Sequence, residues 1–121
     1  MGITHTFLVK ERAVLNNVYH SKHYRKQAEI RKFFGELFYC EAMKCKVKFN
    51  FVDIVVDHYI VNGRTPDTGS AWMVSKAGID FICRAGVLPD DNPNYVRSIK
   101  FNSPVKTDFW GVGITFTEVD V

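Results

Sequence analysis

Between Cys45 and Val61 the sequence reads CKVKFNFVDIVVDHYIV, rich in Val, Ile and Phe, with polar and apolar residues alternating from Lys46 to Phe51. β-branched and aromatic side chains fit a pleated surface, and a period of two sends alternate residues to opposite faces. The segment is expected to form one long strand with a buried face. A covering layer is encoded on either side of it. From Lys22 to Lys44, the residues Ile30, Phe33, Phe34, Leu37, Phe38 and Met43 follow the spacing of an amphipathic helix, with Ser21 as a candidate N-cap. Ala71, Val74, Ala77, Gly78, Phe81, Ile82 and Ala85 mark the apolar side of a second helix. Gly86 is placed to end it as a left-handed residue, with Val87 and Leu88 available for the accompanying apolar contact.

The remaining β-prone runs are Ile3 to Val9, Tyr95 to Asn102 and Phe109 to Glu118, the last two joined by SPVKTD. The order is β-α-β-α-β-β. It predicts a single α+β domain over residues 1–121, with a mixed or antiparallel sheet, two helices and a hairpin made by the last two strands. The length of 121 residues suits one core, and no Gly/Ser-rich run reads as a linker.

Several function classes find no support. The apolar runs are far shorter than the roughly 20 residues of a membrane span, and no basic-then-apolar leader pattern opens the sequence, so a cytoplasmic protein is expected. Cys40, Cys45 and Cys83 lack a C-x-x-C spacing and read as reduced packing thiols. No phosphate-loop, dinucleotide or H-E-x-x-H motif occurs, so no nucleotide cofactor is expected.

Charge is distributed unevenly. Residues 1–48 hold 10 Lys/Arg against 4 Asp/Glu, whereas residues 49–121 hold 6 against 9. Opposed halves suit a surface that meets a polyanion, although unequal solvated faces would give the same count. Lys22, Arg25 and Lys26, beside His20, His23 and Tyr24, form a basic and aromatic stretch at the head of the first helix, a composition that suits a phosphate backbone and also suits a solvated helix face.

The acidic residues concentrate around the second helix. Asp67 precedes it, Lys76 and Asp80 lie on its polar side, and Asp90 and Asp91 follow it. Clustered carboxylates hold hard divalent cations, and a neighbouring lysine neutralises charge on a phosphoryl oxygen. Each residue also has a structural reading: Asp67, Thr68 or Ser70 as an N-cap, Asp80 as an ion-pair partner of Lys76 and Arg84, and Asp90 and Asp91 as turn residues.

The segment KAGIDFICRAGVLPDDNPNYV, residues 76–96, resembles the core motif of RusA-type Holliday junction resolvases, a phage and prophage family of endodeoxyribonucleases. There a helical Lys is followed four residues on by Asp, then an Ala-Gly turn, an Asp pair and a strand; here these are Lys76, Asp80, Ala85, Gly86, Asp90 and Asp91. VLNNVYHSKHYRK, which contains Asn16, is similar to the family's N-terminal stretch before the long helix, and GRTPD to its basic residue, here Arg64, and aspartate before the second helix.

The resemblance implies a homodimer that binds four-way DNA junctions and makes paired nicks with Mg²⁺, with Mn²⁺ as an alternative, in a bacterial or phage-infected cell. It implies Asp67, Asp90 and Asp91 as metal-binding carboxylates and Asp67, Lys76 and Asp91 as the catalytic set. Ser70 and Asp80 would support them, and Asn16, His20, Lys22, His23, Arg25, Lys26 and Arg64 would meet DNA. One departure is visible. The family usually carries a second acidic or amide residue shortly after the first aspartate, whereas this chain reads Asp67, Thr68, Gly69, Ser70. Ser70 supplies no charge, and fewer negative ligands weaken Mg²⁺ binding. A weakened or inactive protein that binds branched DNA without cutting it is the alternative.

Overall fold

The computed structural model describes residues 3–120. Its elements are β1 (Thr4–Val9), α1 (Asn16–His20), α2 (Tyr24–Met43), β2 (Val52–Ile60), α3 (Trp72–Arg84), β3 (Val96–Phe101), β4 (Val105–Lys106) and β5 (Gly111–Glu118). This is the expected α+β class, with a mixed five-stranded sheet and one more short helix than the sequence suggested.

β2 organises the sheet, and its burial alternates residue by residue along its whole length. Val52, Ile54, Val56 and Ile60 face the core beneath α2 and α3, and register places Ile54 beside Phe116 and Val56 beside Ile114 of β5. The strand is shorter than the Cys45 to Val61 run because the backbone donors of residues 49–51 are used elsewhere. Phe49 N–H bonds to Val87 O (2.8 Å), and the Glu118 carboxylate accepts from Asn50 N–H (2.9 Å) and Phe51 N–H (2.7 Å). The first bond holds the lead-in to β2 against the turn after α3, and the other two tie it to the end of β5.

The expected terminal hairpin does not form. β5 lies between β1 and β2, antiparallel to both, while β3 and β4 pair in parallel with the other side of β2. Burial explains the order. Val112, Ile114 and Phe116 of β5 are fully buried and need neighbours on both sides, whereas no residue of β3 is buried and this strand suits an edge. β2, α3 and β3 thereby form a parallel crossover unit, the arrangement that brings the segment after α3 back along the sheet.

α2 and α3 pack face to face through two reciprocal glycine seats. A Cβ on Gly78 of α3 would lie 2.5 Å from Phe38 Cδ2, and one on Gly35 of α2 would lie 2.4 Å from Phe81 Cδ1. Each helix drops an aromatic ring onto the other's glycine. The inward face of α2 carries Ile30, Phe34, Phe38 and Ala42, but Phe33 and Met43, expected in the core, are 50% and 62% exposed. The start of α2 also differs from expectation: Ser21 ends α1, and His23 caps α2 by accepting from Arg25 N–H through Nδ1 at 3.3 Å.

Candidate active site

α3 sets Lys76 and Asp80 one turn apart on its outward side, with Lys76 Nζ 3.9 Å from Asp80 Oδ1. The helix ends where expected, at Gly86 with φ +88°, and Val87 and Leu88 are buried in the core. That anchor turns the chain back on the helix, bringing Asp91 Oδ2 to 3.6 Å from Lys76 Nζ. Lys76, Asp80 and Asp91 therefore form one group, although Asp91 lies fifteen positions from Lys76 in sequence.

The adjacent aspartates divide the work of the turn. Asp90 shapes it: Oδ1 accepts from Asp91 N–H (2.7 Å) and Oδ2 from Asn92 Nδ2 (3.2 Å). Asn92 continues the bracing by accepting from Asn94 N–H at 2.9 Å. Asp91 is left to face α3.

Asp80 and Asp91 share a hydrogen bond and titrate as a pair. Asp80 is held above the usual carboxylate range, first by burial and then by its bond to Asp91. At Asp91 burial pulls the same way but is outweighed by the bond from Asp80, the charge of Lys76 and the bond from Asp90, and its carboxyl lies below the usual range. The arrangement favours a proton on Asp80 and a charge on Asp91. Behind them, Cys83 is pushed up to about 12 by burial and then by the charges of Asp91, Asp80 and Asp90, so its thiol stays protonated. Asp80, Cys83, Arg84, Pro89 and Asp90 border a small cleft of about 280 Å³.

Asp67 lies in a different cleft, of about 590 Å³, whose lining includes Asn16, Asn17, Arg64, Asp67 and Ser70. Among the described residues no group of three or more His, Cys, Asp or Glu side chains is arranged to hold a metal ion, so Asp67, Asp90 and Asp91 do not form the expected three-carboxylate cluster. The local reasons are visible: the Asp90 oxygens are used within the turn, and Asp67 lines the loop before α3. Two carboxylates still fit a hard cation that completes its shell with water and substrate phosphate, as Mg²⁺ commonly does. Among the described residues Asp80 and Asp91 form one such pair of neighbouring carboxyls.

The expected cap residues do not cap α3. Its N-cap is Ala71, without a side-chain bond, and the missing acceptor comes from Asn16, whose Oδ1 accepts from Met73 N–H (3.0 Å) while Nδ2 donates to Gly69 O (3.0 Å). Asn16 N–H also donates to Ser70 O (2.8 Å). Asn16, expected at a DNA surface, is thus a staple that holds the 67–70 loop. Ser70 Oγ is buried there without a hydrogen-bond partner. Nothing at the level of sequence distinguished this role for Asn16, because its partners lie more than fifty positions away.

The other basic residues remain at the surface. His20, Lys22, Arg25, Lys26 and Arg64 are exposed. His23 and Tyr24 stack at 4.3 Å between ring centroids, and Lys26 Nζ lies 3.4 Å from Glu29 Oε2. Two further cations that the sequence did not single out sit over aromatic rings: Arg12, beside Lys22 and Lys26, has its guanidinium 4.2 Å from the Trp110 ring, and Lys10 lies 4.9 Å from the Phe109 ring.

No family model matches this chain, and no curated protein matches it either. The site therefore stands on its own residues. Among the described residues no helix is long and apolar enough to cross a membrane.

Proposed function

We propose that the chain is a Mg²⁺-dependent, structure-selective endodeoxyribonuclease of RusA type that cuts four-way DNA junctions in the cytoplasm as a homodimer. The observation that carries this reading is the convergence of Lys76, Asp80 and Asp91 at the end of α3. Exposed Lys22, Arg25 and Lys26 supply charge for the DNA backbone. Two-fold symmetry would give each of two equivalent strands its own site.

In this reading Asp91 and Asp80 hold the ion, and Asp67 borders the path of the substrate. When bound, Mg²⁺ lowers the pKa of a coordinated water and stabilises charge on the phosphoryl oxygens. Lys76 neutralises negative charge that develops at the phosphorus. Asp91, ionised more readily than Asp80, supplies the charged oxygens of the pair, and Asp80 holds it in place through their shared hydrogen bond. Hydrolysis breaks one phosphodiester bond per strand, leaving a 5′-phosphate and a 3′-hydroxyl.

A second reading, a protein that binds branched DNA without cutting, is favoured by one observation: Asp67 and Ser70 stand in a separate cleft, and no three-carboxylate cluster forms among the described residues. Incubating the purified protein with a synthetic four-way junction, with Mg²⁺ and with chelator, separates the two. Paired nicks that require Mg²⁺ support the nuclease. Junction binding without nicks at any Mg²⁺ concentration leaves the binding protein.

A further inference from the structure

One side of α2 is neither packed on α3 nor fully solvated. Lys26, Ile30 and Phe33 recur there at i, i+4 and i+7, and together with Val18 of α1 they border a groove of about 520 Å³ with Arg12 and Lys22 at its edge. The groove is within the roughly 300–1,000 Å³ typical of small-ligand clefts. Phe33 is 50% exposed and Val18 43% exposed, and this apolar floor is ringed by three cations against one acid, Glu29. An aromatic floor inside a cationic rim matches a nucleotide, whose base offers a flat apolar face and whose phosphate offers the opposite charge. A continuous duplex would satisfy the rim and leave the floor empty, because its bases are stacked on one another.

Resting on the reading as a junction-binding protein, we propose that this groove takes an unstacked base at the branch point, with Phe33 as its stacking platform and Arg12, Lys22 and Lys26 holding the flanking phosphates. The groove then recognises the branch itself, where stacking between arms is interrupted.

The test measures binding in chelator, so that no strand is cut, to two fluorescent four-way junctions that differ only in carrying normal or abasic nucleotides at the branch point. Wild type is expected to bind the normal junction more tightly. Phe33→Ala should weaken that binding about 5- to 150-fold, the range for loss of one base–aromatic stack, and leave the abasic junction's affinity unchanged. Phe33→Tyr should retain the preference. Lys22→Ala should weaken both junctions and reduce the salt dependence. Because Phe33 is half-exposed, Phe33→Ala should keep the wild-type melting temperature within a few degrees. Equal affinity of wild type for both junctions, or equal weakening of both by Phe33→Ala, overturns the base-binding groove while the junction-binding reading stands. Absence of junction binding by wild type overturns both. If sedimentation shows that Phe33→Ala splits a wild-type dimer, the groove is covered by a second copy and the inference is also overturned.

Discussion

Lys76 Nζ stands 3.6 Å from Asp91 Oδ2 and 3.9 Å from Asp80 Oδ1, so one ammonium serves two carboxyls that also share a hydrogen bond. Asp91 contributes stability that is complete above the usual carboxylate range and is lost as pH falls through its lowered pKa. Asp80 runs the opposite way: its contribution is complete at acid pH and is lost as pH rises through its raised pKa. Asp80→Asn keeps a hydrogen-bond donor for Asp91 and removes that loss, so its melting temperature at neutral pH should exceed that of wild type. A carboxyl-resolved NMR titration of Lys76→Met should show both Asp80 and Asp91 titrating at higher pH than in wild type, since the Lys76 charge lowers both.

His58 lies on the core-facing row of β2, 6% exposed, and burial lowers its pKa below the ordinary 6.5. Unfolding therefore takes up a proton below that pH. Stability from neutral His58 is full above about 6.5 and is lost as pH falls toward the folded value. Thermal melts from pH 7 to pH 5 should show a decline in wild type that is smaller in His58→Leu.

The glycine seats between α2 and α3 leave no room for a methyl group. Gly78→Ala should destabilise by about 1–3 kcal/mol through forced displacement of Phe38, and Phe38→Leu in the same chain should recover part of the loss. Denaturant unfolding of the two variants measures both.

Cys83 and Cys40 should differ sharply toward iodoacetamide at pH 8. Cys40 is exposed, while the Cys83 thiol, pushed up to about 12 by burial and nearby carboxylates, has almost no thiolate. Mass spectrometry of the native protein should find Cys40 alkylated and Cys83 unmodified; denaturation should equalise them.

Asn16→Ala should destabilise by about 1 kcal/mol, the usual effect of losing a helix cap, and loosen the loop that carries Asp67. Hydrogen exchange at Met73 N–H would show it.

The periodic segments were legible because their signal is local. β2, α2, α3 and the Gly86 stop all follow from spacing within a few residues, and the Lys76 and Asp80 pair is a helical i, i+4 relation. Relations carried by distant parts of the chain were not legible. The β5 position depends on how much of Val112, Ile114 and Phe116 is buried relative to the polar β3, and the α3 cap is supplied by Asn16 from far upstream. The Asp90 and Asp91 pair shows both cases. Its turn role was readable from composition, whereas only the fold turns Asp91 toward Lys76 and leaves Asp67 lining another cleft.

The most direct measurement compares wild type, Asp91→Asn and Lys76→Met for nicking of a four-way junction with Mg²⁺, alongside junction affinity in chelator. The expected result is Mg²⁺-dependent paired nicking by wild type, a loss of at least about 100-fold in both variants, the scale of removing one charge-stabilising group, and junction affinity retained in both. Wild-type nicking that persists in Asp91→Asn and Lys76→Met would contradict a catalytic role for this group.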